Sequence, residues 1–129
     1  MTNAFSLDDL REATIKKYAP TEVAIKDGSV QLKSLLKLKK AAREEISAAV
    51  DAISDIEEPD DDDDESIAEW SATLCGHVEK IFRLVCSSPR RLIQELDHED
   101  PQVKASLYTA VLGRWLEETQ VGEAESSPS

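Results

Sequence analysis

The sequence predicts a mainly α protein: a small N-terminal helix plus a β-hairpin, an acidic flexible linker, and a C-terminal helical bundle. Three observations carry that expectation. Apolar residues recur at three- and four-residue intervals over Ile67 to Val85 and again over Val103 to Leu116, the period of an amphipathic helix. Between residues 22 and 33 the period falls to two around Asp27-Gly28, the pattern of a short hairpin. Glu57 to Glu65 hold eight carboxylates, one proline and no cation, a composition that cannot be buried and repels itself. The expected organisation is 1–40 for the N-terminal helix and hairpin unit, 41–56 for a connecting helix and 57–65 for the linker. Residues 66–121 form the C-terminal helical unit and 122–129 a disordered tail.

The first helix opens at Ser6, whose hydroxyl can accept an orphan amide, with Asp9 three residues on as an approximate capping box. Phe5, Leu7, Leu10, Ala13 and Ile15 supply a rough apolar stripe. Asp8, Asp9 and Glu12 lie early and Lys16 and Lys17 late, as the helix dipole favours. Pro20 stops the run because it drives the residue before it into an extended conformation.

Val23, Ile25, Val30 and Leu32 then alternate with polar neighbours. Asp-Gly suits a type I′ turn, whose two central positions need positive φ. A lone hairpin is barely stable in water, so its apolar face is expected to rest on the first helix or on a partner. Lys33 to Lys40 is a basic connector. Ala41, Ala42, Ile46, Ala49, Val50, Ile53 and Ile56 mark a narrow, alanine-rich helical face beyond it. Such a face packs weakly or contributes one seam to a larger assembly.

After the linker, Ile67, Trp70, Leu74, Val78, Ile81, Phe82 and Val85 mark one helical face, and Pro89 breaks the run. Arg90 to Leu96 makes a short helix. Asp100-Pro101 starts the next one, with Asp as cap and Pro at the first position. Val103, Leu107, Tyr108, Val111, Leu112, Trp115 and Leu116 give it a broad apolar face, and Gly122 is expected to end it. The two strong helices are expected to pair antiparallel, with the short one closing the corner.

At 129 residues and 14.3 kDa the chain suffices for one ordinary domain or two very small ones. Its net charge of −12 argues against phosphate-driven binding to nucleic acid or an anionic membrane. The acidic run alone supplies −8, and the other 120 residues carry −4. Cys75 and Cys86 are too far apart along one helix, ~16 Å, for a disulfide, and read as reduced core residues of an intracellular protein. No stretch approaches the ~18 apolar residues of a membrane span, and Ser6-Leu7-Asp8-Asp9 is no signal peptide.

Candidate catalytic groups are few. His77 lies two residues from Cys75, an offset that points the side chains apart on a helix, and His98 sits in an acidic turn. Neither has metal-ligand spacing. The aspartate run lacks the central glycine of a calcium loop. No glycine-rich phosphate loop or nucleophile motif is present. The expectation is therefore no catalytic, cofactor or metal site, and no enzyme. The basic cluster Lys33, Lys37, Lys39, Lys40 and Arg43 reads as a solvated face able to pair with the acidic linker, ahead of a nucleic-acid contact.

The start Phe5-Ser6-Leu7-Asp8-Asp9-Leu10-Arg11-Glu12-Ala13 with Lys16-Lys17-Tyr18 resembles the opening of tail assembly chaperones from long-tailed (siphovirus-type) actinobacteriophages. The extended segment Val23 to Leu32, the connector Leu35-Leu36-Lys37-Leu38-Lys39-Lys40 and the ending Trp115 to Ala124 carry the resemblance further. It implies a protein that keeps the helical tape measure protein soluble in the host cytoplasm and helps recruit tail tube protein during tail morphogenesis. Such a protein is absent from the mature virion. It also implies a homo-oligomer that associates with a longer form made by programmed frameshift, with Gly122-Glu123-Ala124 as the place to seek a slippery message. On this reading the client would contact exposed parts of the C-terminal helices around Trp70, Leu74, Leu112 and Trp115. The competing expectation is a small oligomeric phage structural or adaptor protein binding a folded partner. An acidic mimic of nucleic acid ranks last, because its carboxylates would be spaced along a rigid surface.

Overall fold

The computed structural model describes residues 4–60 and 63–126, with side chains as far as Thr119. Asp61 and Asp62 of the expected linker and residues 127–129 of the expected tail lie outside it. In chain order the elements are α1 (Leu7–Tyr18), β1 (Thr21–Ile25), β2 (Gly28–Leu32), a 3₁₀ turn (Leu35–Lys37), α2 (Lys40–Ser54), α3 (Asp64–Val85), α4 (Pro89–Leu96) and α5 (Pro101–Ser126). The fold class is the one the sequence predicts.

Local chemistry explains most of the boundaries. Ser6 caps α1 by accepting the Asp9 amide at 3.4 Å. Ala19, ahead of Pro20, is extended at φ −70°, ψ 144°, as the proline ring demands. Asp100 caps α5 through its carboxylate, which accepts the Gln102 amide at 2.9 Å. Two ends differ from expectation. α3 begins at Asp64, inside the acidic run, because Asp64 and Glu65 are favoured at the positive end of the helix dipole. α5 runs through Gly122 to Ser126; an interior glycine costs only about 1 kcal/mol.

The hairpin pairs Val23 with Val30 and Ile25 with Gly28, so its two-residue loop is Lys26-Asp27, one residue earlier than expected. Among the described residues only Gly28 has positive φ, at 139°. The expected type I′ turn is therefore not formed. Glycine instead opens β2 in a conformation strained for any side chain. Nor does the hairpin rest on α1. Leu32 bridges to Cys86, the Lys33 amide donates to the Val85 carbonyl at 2.9 Å, and the Ser87 amide donates to the Gln31 carbonyl at 2.8 Å. β2 thus lies between β1 and the chain leaving α3, where a helix end leaves carbonyls without intrahelical partners.

α3 and α5 run parallel, not antiparallel. Ser71 Oγ donates to the Pro101 carbonyl at 2.8 Å, and farther along Tyr108 Oη donates to Glu79 at 2.9 Å. At the far end Lys33 bonds to both Val85 and Trp115. The reason is the return path: residues 86–100, with α4 in their middle, carry the chain back to the start of α3 before α5 begins. α4 buries Leu92 and Leu96 as it returns.

A single apolar cluster holds these elements together. Val30 and Leu32 of the hairpin and Ile46 and Ala49 of α2 pack with Phe82, Tyr108, Leu112 and Trp115. Residues from both sides of the acidic segment therefore share one core. α2, weakly apolar by itself, is completed by α3, against which it packs. Among the α-helices and the described residues, only α1 buries no side chain.

Candidate functional site

The four side chains expected to meet a client fall in two places. Leu74, Leu112 and Trp115 are buried, Trp115 to 1 % exposure, and Trp70 is half-buried against the same cluster. This corrects where the apolar surface lies. In a parallel α3–α5 pair with the hairpin over its end, Leu74, Leu112 and Trp115 face inward. A client could reach them only if the core opened. Trp115 is further tied by its indole Nε1–H, which donates to the Lys33 carbonyl at 2.9 Å.

Among the described residues most of the exposed apolar surface is on α1 and at its entry. Phe5, Leu7 and Ile15 are 77 %, 62 % and 64 % exposed, and Leu10 and Tyr18 are also exposed. Leu7, Leu10 and Tyr18 fall on one side of the helix by their three- and eight-residue spacing. Beside the last turn of α1, a groove of about 660 Å³ runs between β1 and α5, floored by Val23, Ala110 and Val111 and rimmed by Lys16, Lys17 and Arg114. Val103 and Leu107 continue the exposed apolar line on α5.

Polar contacts fasten α1 to this groove. Ser34 Oγ donates to the Lys17 carbonyl at 3.1 Å and accepts the Leu36 amide at 3.3 Å. Thr119 Oγ1 accepts the Leu35 amide at 2.9 Å. Both hydroxyls are buried, so each satisfied bond matters. Sequence reasoning missed this pair. Ser34 before a turn offers a capping signal, whereas Thr119 in a polar stretch offers none.

The titratable groups of the interior serve packing. Among the described residues no cluster of three or more His, Cys, Asp or Glu side chains could hold a metal. Cys75 and Cys86 are free thiols, and burial pushes both above their usual value. Burial, and then the hydrogen bond to Glu79, keep the Tyr108 phenol protonated far above its ordinary 10.0. The folded protein therefore retains this proton after the unfolded chain has lost it. The associated stability is complete below about pH 10 and declines as pH rises further. Melting followed by circular dichroism should show a midpoint falling above about pH 10, with a shallower fall in Tyr108→Phe. An equally steep fall in that variant would place the alkaline sensitivity elsewhere.

These features define a small, mainly helical protein built on one core, with an amphipathic helix left on its surface. The chain belongs to the mycobacteriophage tail assembly protein family, whose model matches residues 1–124. It is 46% identical to the tail assembly protein Gp24 of Mycobacterium phage L5, over the full length of both chains. Gp24 of Mycobacterium phage D29 is 46% identical, again over both full lengths. The tail assembly protein Gp25 of phage L5 is 45% identical over 95% of this chain, which spans only 46% of that longer protein. No solved structure matches the chain.

Proposed function

We propose that this protein is a tail assembly chaperone that holds the phage tape measure protein in solution in the host cytoplasm and helps bring tail tube subunits to it. In this role it is absent from the finished virion. The observation that carries the reading is α1, a capped helix whose apolar residues are all exposed on a chain of net charge −12. An open apolar helix face beside a groove is suited to an amphipathic helical client, and the charge keeps the complex dissolved. Membership of a tail assembly family supports the setting. The match to all of Gp24 but under half of Gp25 supports a short form that works beside a longer, frameshifted one.

Co-expression with the tape measure protein tests this. Its soluble fraction should rise with the unmodified chain and fall back with Leu7→Glu/Leu10→Glu. That variant should melt as the parent does, since neither side chain is buried. A tape measure protein that stays equally insoluble with and without the chain would overturn the proposal. Stoichiometric recovery of the chain in purified virions would favour the structural or adaptor role instead.

A further inference from the structure

The groove between β1 and α5 touches Thr21, Glu22, Val23 and Ala24 in succession. Successive side chains of a strand point to opposite faces, so a groove that meets all four runs along the edge of β1. β1 has β2 on one side. Among the described residues no backbone hydrogen bond outside the hairpin involves residues 21–25. The other edge of β1 is open.

The register fixes which groups that edge presents. The Gln31 amide donates to Ser87 Oγ at 3.0 Å, and the Gln31 carbonyl accepts the Ser87 amide at 2.8 Å. Both groups therefore face away from β1. Gln31 lies opposite Glu22, so the two form a pair without mutual hydrogen bonds, and Glu22 turns its own amide and carbonyl outward. The alternation repeats every second residue, so Ala24, opposite Ser29, does the same. Two donors and two acceptors thus line the groove, on residues that are both exposed.

The walls add a charge preference. Lys16, Lys17 and Arg114 stand against Glu22 and Glu118, and none of the five joins an ion pair among the described residues. The groove therefore carries a net positive charge on a chain of −12, over an apolar floor of Val23, Ala110 and Val111.

We infer that this groove binds an extended peptide segment of a partner protein, which adds to the sheet as a strand beside β1. The segment is apolar at alternate positions, to match the floor, and carries a carboxylate for the cationic rim. Unpaired groups on an edge strand are a template for another strand. Adding a strand to an exposed sheet edge is a recurring mode of peptide recognition, in which main-chain bonds give affinity and alternate side chains give specificity. A helical occupant would leave the groups of Glu22 and Ala24 unpartnered, because a helix spends its amides and carbonyls internally. The inference goes beyond the client reading, since it uses the backbone of β1 and none of the apolar side chains of α1.

A displayed library of random peptides of about ten residues, the upper range of a strand, supplies the probe when selected on the full-length protein. Selected sequences should alternate apolar and polar residues and include an acid. The strongest binder is then synthesised and titrated into isotope-labelled protein. The Glu22 and Ala24 amides should exchange freely in the protein alone and slow by about tenfold or more once the peptide binds. Ala24→Pro removes one outward donor at an edge, where proline is tolerated. It should weaken binding about tenfold or more, because a peptide carbonyl is left unpaired. No selected peptide, apolar residues at helical spacing, sequences without an acid, or binding that leaves those two amides unprotected would overturn the inference, and none of these readings needs the variant to fold. Protection of both amides in the protein alone, as edge-to-edge pairing of two copies would give, would overturn it as well. Failure to solubilise the tape measure protein would leave it standing.

Discussion

Trp115→Ala is expected to leave little folded protein at physiological temperature. The indole is 1 % exposed and among the largest fully buried side chains. Removing it leaves a cavity costing about 3–5 kcal/mol. It also strips the Lys33 carbonyl of its 2.9 Å donor, worth about 1 kcal/mol. Against a total stability of ~5–15 kcal/mol for a domain, that loss is from about a third of the margin to all of it. Urea unfolding followed by circular dichroism measures it. Trp115→Phe keeps most of the volume and loses the donor, so it should fall between parent and alanine variant. A midpoint for Trp115→Ala close to the parent's would mean that this ring is not the keystone of the core.

A fragment of residues 57–129 should lack a cooperative unfolding transition, although it contains all of α3, α4 and α5. The hairpin and α2 supply Val30, Leu32 and Ile46 to the shared cluster, and each buried aliphatic side chain contributes about 1.5–3 kcal/mol. Without them Val85, Ile81 and Trp115 lose cover on one side. Adding residues 1–56 in trans should restore helical signal and a melting transition. A fragment that melts cooperatively by itself would show that the acidic segment separates two independently stable units.

Much of the secondary structure was legible because its signals are local. Ser6 caps α1, Asp100 with Pro101 starts α5, and Pro20 ends a helix through contacts within a few residues of themselves. The paired strands announced themselves by alternation, yet the turn between them came out one residue early. At that loop Arg91 of α4 donates to the Asp27 carbonyl at 3.3 Å, and Gly28, already in β2, takes the positive φ. The apolar stripes of α3 and α5 were equally plain, but a stripe says only that a face is buried, not against what. Leu74, Leu112 and Trp115, around which exposed client-binding parts are expected, therefore belong themselves to the interior. The exposed face of α1 showed in the sequence only as a rough apolar stripe.

The sequence by itself determined the helical class, the position of the hairpin, the acidic interruption and the absence of recognisable catalytic spacing. Each depends on residue type or on neighbours a few positions away. Only the tertiary structure decided that α3 and α5 run parallel, that residues from both sides of the acidic segment share one core, and that α1 is the helix left open. Those outcomes depend on pairings such as Ser71 with Pro101 and Lys33 with Val85, between residues tens of positions apart.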